Sequence, residues 1–117
     1  MKQTTTVYIC GPITGDPSYM RKFAAAEQYL KNQGLAVLNP ARMFADIAAR
    51  GVSYEAIMRL CLGLVQACDS IAVLPGFQYS RGATQELNVY HNSHAIGKVY
   101  RLCLGLDKSK NYVVALD

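Results

Sequence analysis

Apolar runs of strand length alternate along this chain with stretches of helical period. TTTVYIC at Thr4–Cys10 is rich in β-branched and aromatic residues and predicts a first, central strand. From about Pro17 to Gln33, Phe23, Ala26 and Leu30 recur on one helical stripe, and Gly34 is a natural C-cap. LAVL at Leu35–Leu38 reads as the second strand, ended by Asn39-Pro40. A short helix over Ala41–Arg50 stops at Gly51. Ser53 then caps a longer helix to about Ala67, with Ile57, Leu60, Leu64 and Cys68 on its buried face. Ser70–Leu74, bounded by Asp69 and Pro75-Gly76, has the unbroken apolar character of a strand buried on both faces. Ala83, Leu87, Tyr90 and His94 share one stripe of a helix over Ser80–Ala95, and Lys98–Cys103 is a fourth strand. NYVVAL at Asn111–Leu116 is a further strand, or an arm reaching a neighbouring subunit.

Strands and helices that alternate with short connections predict a doubly wound α/β domain, Rossmann-like or flavodoxin-like. Its mostly parallel sheet has four to five strands, helices cover both faces, and one domain spans 1–117. Composition agrees, since 51% of the 117 residues are hydrophobic and 17% are charged, as in an ordinary soluble domain. The net charge of +4 is scattered and forms no basic stripe interleaved with aromatics. That argues against nucleic acid as a partner and suits a small anionic ligand. Met1–Thr6 lacks a signal-peptide core and no apolar run approaches membrane-spanning length, so a cytoplasmic protein without membrane contact is expected. Cys10, Cys61, Cys68 and Cys103 form no CxxC pair and read as reduced core thiols. His91 and His94 have no third ligand nearby, so neither a metal nor another cofactor is expected.

The candidate chemistry lies in the stretch Asp69–Leu87. A strand, a loop and a helix opening Ser80-Arg81-Gly82 bring that loop to the carboxyl end of the strand, where open α/β sheets bind ligands. The first turn of the helix offers free amides and the positive dipole end, which suit a phosphate. Glu86 follows Ser80 by six residues, roughly 9 Å along the axis. A carboxylate one sugar's length from a phosphate site is a glycosidic arrangement. The Gly/Pro-punctuated loop GPITGDP closes the first strand at the same edge and is neither a Walker A loop nor a dinucleotide fingerprint.

VYICGPITG at 7–15, NPA at 39–41, CDSIAVLPGF at 68–77 and SRGATQE at 80–86 resemble, in this order, the small phage and bacterial proteins of the DUF4406 group. Those are similar to the nucleoside 2-deoxyribosyltransferase superfamily, which includes 2′-deoxynucleoside 5′-monophosphate N-glycosidases. The likeness covers roughly 7–102. It implies that Glu86 is the nucleophile, ionised at neutral pH, and that the Tyr8 hydroxyl holds it in place. It also implies that Asp69 hydrogen-bonds or protonates the nucleobase. The loop residues Gly11, Pro12 and Gly15 would face the sugar and base. Phe77 would stack where relatives carry PGW. Ser80 and Gly82 would open the phosphate-binding helix, and Arg81 would add positive charge and favour a 5′-monophosphate.

Besides Phe77, one further position departs from the pattern. Met58-Arg59-Leu60-Cys61-Leu62 has a cysteine where related sequences commonly carry an acid. The superfamily completes its site with a residue from a neighbouring subunit, so a homodimer or larger homo-oligomer with shared sites is expected, with the apolar 53–68 helix as its interface. The expected activity is cleavage or transfer of the N-glycosidic bond of a nucleotide or nucleoside. The alternative is a non-catalytic, sequestering nucleotide-binding protein on the same fold.

Overall fold

The computed structural model describes residues 4–117. Of the Met1–Thr6 segment read above for a leader, Met1–Gln3 lie outside the described residues. Five strands form one sheet: β1 (Thr6–Cys10), β2 (Ala36–Leu38), β3 (Ser70–Val73), β4 (Lys98–Leu106) and β5 (Tyr112–Leu116). Their order across the sheet is β2-β1-β3-β4-β5. The helices are α1 (Tyr19–Asn32), α2 (Pro40–Met43), α3 (Ala45–Ala49), α4 (Tyr54–Ala67) and α5 (Arg81–Ser93), with a 3₁₀ turn at Phe77–Tyr79.

Pairing is parallel from β2 through β1 and β3 to β4, and β5 returns antiparallel along β4. The sheet is therefore mixed. Parallel neighbours need a crossover of about a dozen residues or more, and too few residues separate β4 from β5 for one. A tight reversal forms instead. The Asp107 carboxylate accepts the amides of Ser109 and Asn111 at 2.9 Å each, and Lys110 takes a positive φ of 65°.

The pleat of β1 divides the core. Val7 and Ile9 face α1, packing with Phe23, Ala26 and Leu30, while Tyr8 and Cys10 face Cys61 and Val65 of α4 and Ala83 and Tyr90 of α5. β3 alternates in the same way, Ala72 to the first cluster and Ile71 and Val73 to the second. Burial on both faces is why these two strands read as unbroken apolar runs.

Two local expectations are corrected. The single helix over Ala41–Arg50 is two short ones that meet at Phe44, and the first begins at Pro40. Asn39 caps it by accepting the Arg42 amide at 3.2 Å, and proline suits the first helical position. On α4, the buried residues are Cys61 and Val65, and Leu60 is 50% exposed. Cys68 is buried as expected and Ile57 and Leu64 pack against the same cluster, so of the four expected residues only Leu60 falls off the buried face.

The amino end of the sheet is tied together by polar contacts. Tyr90, fully buried, donates its hydroxyl to the carbonyls of Asp69 at 3.1 Å and Lys98 at 3.0 Å. A Cβ on Gly97 would lie 2.4 Å from that hydroxyl oxygen, whereas one on Gly63, inside α4, would meet nothing within 4 Å. Gly97→Ala should therefore destabilise the fold by about 1–3 kcal/mol through overpacking. Gly63→Ala should stabilise it by about 0.5–1 kcal/mol through helix propensity. Urea unfolding of the two variants checks the pair, and equal effects would contradict the packing described.

Candidate active site

At the carboxyl end of the sheet, β1 passes into a loop that crosses the end of β3. A Cβ at Gly11 would sit 2.9 Å from the Leu74 side chain, so only glycine lets the chain through. Gly15 turns the loop with φ +83°. The Asp16 carboxylate then fixes the entry to α1, accepting the Ser18 amide at 2.9 Å and pairing with Lys22 at 2.8 Å.

Facing this loop, α2 is held against α1 by a buried carboxylate. Glu27 accepts from Arg42 Nε at 3.1 Å and Nη2 at 2.8 Å and from the buried Asn39 amide at 3.0 Å. That clamp presents Pro40 and Ala41 as one wall. Tyr54, Ile57, Met58 and Cys61 of α4 form another, and the start of α5 a third. They enclose a cleft of about 750 Å³.

Glu86, on the second turn of α5, lines the cleft and is only 6% exposed. The wholly buried Tyr8 donates its hydroxyl to Glu86 Oε2. Burial pushes the Glu86 carboxyl up to about 7, and hydrogen bonding from Tyr8 and the thiols of Cys10 and Cys61 offsets part of the rise. Burial, with the Glu86 charge beside it, holds Tyr8 far above the usual phenol range. Burial likewise pushes the Cys61 thiol up to about 11. Burial thus works against the full ionisation of Glu86 expected at neutral pH. Among the described residues, no buried side-chain polar atom lacks a partner.

The α5 amino terminus forms the rim. Ser80 Oγ accepts the Ala83 amide at 3.2 Å, and the Thr84 amide bonds the Ser80 carbonyl at 2.9 Å. The amides of Arg81 and Gly82 precede that first helical bond. A Cβ at Gly82 would lie 2.8 Å from the Tyr54 hydroxyl, so glycine lets α4 approach the helix start here.

Of the residues singled out in the sequence, Tyr8, Gly11, Pro12, Gly15, Ser80, Arg81, Gly82 and Glu86 line this one cleft. Asp69 does not, and its assignment beside the nucleobase is corrected. It precedes β3, whose four residues put about 13 Å between it and the carboxyl edge. There it staples β1 to β3: Thr6 donates its amide at 2.9 Å and its hydroxyl at 3.0 Å to Asp69 Oδ2. The Thr6 amide and hydroxyl hold the Asp69 carboxyl below its usual range. Phe77 also leaves the cleft and packs against the cluster between the sheet and α4–α5. The aromatic rings that do line the cleft include Phe44, Tyr54 and Tyr79. The α4 wall was legible as a stripe, since Tyr54, Ile57, Met58 and Cys61 stand at i, i+3, i+4 and i+7. Phe44, at a junction between short helices, carried no such signal.

Compared with known protein families, the chain matches the model of DUF4406, described as a domain of unknown function, over residues 5–97. Every cleft residue named above falls inside that span. No curated protein matches the chain.

The Glu86 carboxyl titrates higher in the folded protein than its ordinary value of 4.5. The folded state therefore binds the extra proton between about pH 4.5 and 7, and stability falls as pH rises across that window. Glu86→Gln removes the penalty, so its stability relative to the parent should grow by about 1–3 kcal/mol across the same window. Urea unfolding between pH 4 and 8 measures this, and a difference independent of pH would contradict it.

Proposed function

We propose that this chain, which belongs to the DUF4406 family, cleaves or transfers the N-glycosidic bond of a nucleoside or deoxynucleoside 5′-monophosphate. Glu86 is the nucleophile and Tyr8 its positioning partner. The observation that carries this is the buried Glu86–Tyr8 pair lining a cleft whose rim is the first turn of the same helix. A carboxylate that burial has moved towards neutrality, inside an open cleft, is characteristic of a chemical role. On this basis we group the chain with the nucleoside 2-deoxyribosyltransferase superfamily and its doubly wound, flavodoxin-like architecture, working in the cytoplasm.

The proposed chemistry uses this geometry. The phosphate sits at the amides of Arg81 and Gly82 with the Arg81 guanidinium beside it, and roughly 9 Å of helix separates it from Glu86. Binding energy from the phosphate then orients C1′ at the carboxylate. Glu86 attacks C1′ as the base departs, and water or a second base resolves the glycosyl ester. Only the ionised carboxylate attacks, so activity rises with pH through the Glu86 transition.

Incubation with paired nucleosides and 5′-monophosphates, followed by chromatography of free base, tests this. Monophosphates should be cleaved faster than nucleosides. Glu86→Gln should lose about 10³-fold or more in rate, and Tyr8→Phe about 10–100-fold. kcat/KM should climb through about pH 7, where the Glu86 carboxyl ionises. Nucleotide bound without turnover would instead make the chain a nucleotide-binding protein.

We further propose a homodimer joined through α4, whose Leu60 stands half exposed beside the exposed Gly63 and Ala67. Light scattering should give a dimer mass, reduced to the monomer by Leu60→Glu. A monomeric parent protein would end the proposal.

A further inference from the structure

Resting on the glycosidic reading above, we infer that the Tyr54 hydroxyl is a further ligand of the substrate's 5′-phosphate and sets the preference for nucleotide over nucleoside. Tyr54 is the first residue of α4 and lines the cleft. A Cβ on Gly82 would lie 2.8 Å from its hydroxyl oxygen and 3.6 Å from Met58 Sδ, one turn further along α4. Tyr54 and Met58 therefore sit against the first turn of α5, where the amides of Arg81 and Gly82 precede the first helical hydrogen bond. Glycine is a poor helix former, and what it gives here is room for that hydroxyl.

A second contact fixes how the two helices lie. Cys61 stands seven residues beyond Tyr54 on α4, roughly 10 Å along the axis, and its thiol hydrogen-bonds the carboxyl of Glu86, four residues beyond Gly82 on α5. α4 and α5 thus run side by side into the cleft, with Tyr54 beside Gly82 at the rim and Cys61 beside Glu86 deeper in. A substrate with C1′ at Glu86 and its phosphate at the α5 start brings that phosphate to the end where Tyr54 stands. The hydroxyl suits it. Tyr8 and Tyr90 spend theirs inside the fold, on Glu86 and on the Asp69 and Lys98 carbonyls. Tyr54 is 53% exposed at the rim. A hydroxyl donates more strongly to an anionic oxygen than to a neutral one, which favours a phosphate over the 5′-hydroxyl of a nucleoside.

The test measures base release from AMP, GMP, dAMP, dGMP and dTMP and from the matching nucleosides. It uses the intact parent protein, Tyr54→Phe, Gly82→Ala and the double variant. Tyr54→Phe keeps the ring and removes only the hydroxyl. It should lower kcat/KM for the cleaved monophosphates about 10–100-fold, chiefly through KM, the size of a hydrogen bond to a charged group. For the matching nucleosides the loss should be about 3-fold or less. Gly82→Ala, whose new methyl displaces the hydroxyl, should cause a like loss in the parent. It should add little in the Tyr54→Phe background, because both changes act on one group. Equal losses for monophosphates and nucleosides, no loss for either, or cleavage of nucleosides alone would overturn the inference and leave the glycosidase standing. No release by the parent from any member would overturn the glycosidase, and this inference with it.

Discussion

A hydrogen bond between the Tyr8 hydroxyl and the Glu86 carboxylate spans 78 residues of sequence and joins the central strand to α5. It is costly to build, because a carboxyl group taken out of water must be neutralised or given partners. Here hydrogen bonding from Tyr8 and the neighbouring thiols supplies part of that compensation, and burial raises the carboxyl pKa for the rest. The cleft takes its geometry from this joint. Ser80–Gly82 reach its rim because Glu86 fixes the rotation of α5, and Cys61 and Ile57 face it because α4 packs on the same side of Tyr8.

The two ends of the sheet divide the work. At the amino end, Thr6 meets Asp69, Ser70 donates to the Thr6 carbonyl at 2.8 Å, and the Tyr90 hydroxyl bridges to Asp69 and Lys98. His94 adds a ring nitrogen 2.7 Å from the Cys68 carbonyl. These contacts lock the strand starts and the α5 carboxyl end. At the carboxyl end the strands run out into glycine-bearing loops and helix starts, whose backbone groups remain available to a ligand. Stability and chemistry are thus at opposite edges of one short sheet. The Glu27–Arg42–Asn39 clamp serves the open edge from behind the wall, ordering a four-residue helix that propensity alone would not hold.

Much of this was legible in the residues. The apolar runs marked β1 and β3, Ser53 and Ser80 marked helix starts by capping chemistry, and the spacing from Ser80 to Glu86 set a carboxylate beyond a helix amino terminus. Asp69 shows where legibility ended. The family resemblance implied a place for it in the site, yet its position before β3 already assigned it to the other edge. Strand polarity outweighed proximity in sequence. Phe77 shows a second limit, because a ring in a tight turn can face the cleft or the core, and only packing against the α4–α5 side chose the core.

What the sequence by itself determined were features that depend on a few adjacent residues: strand and helix periods, caps, and the glycines at forced turns. What only the tertiary structure decided depends on groups far apart in the chain: the rotation of α4, the wall built from Phe44 and Tyr54, and the protonation of Glu86. The physical reason is that burial is a collective property. A glutamate six residues beyond a serine has the same local chemistry in solvent or in a core, and only the closing of α4, α5 and β1 around it raises its pKa.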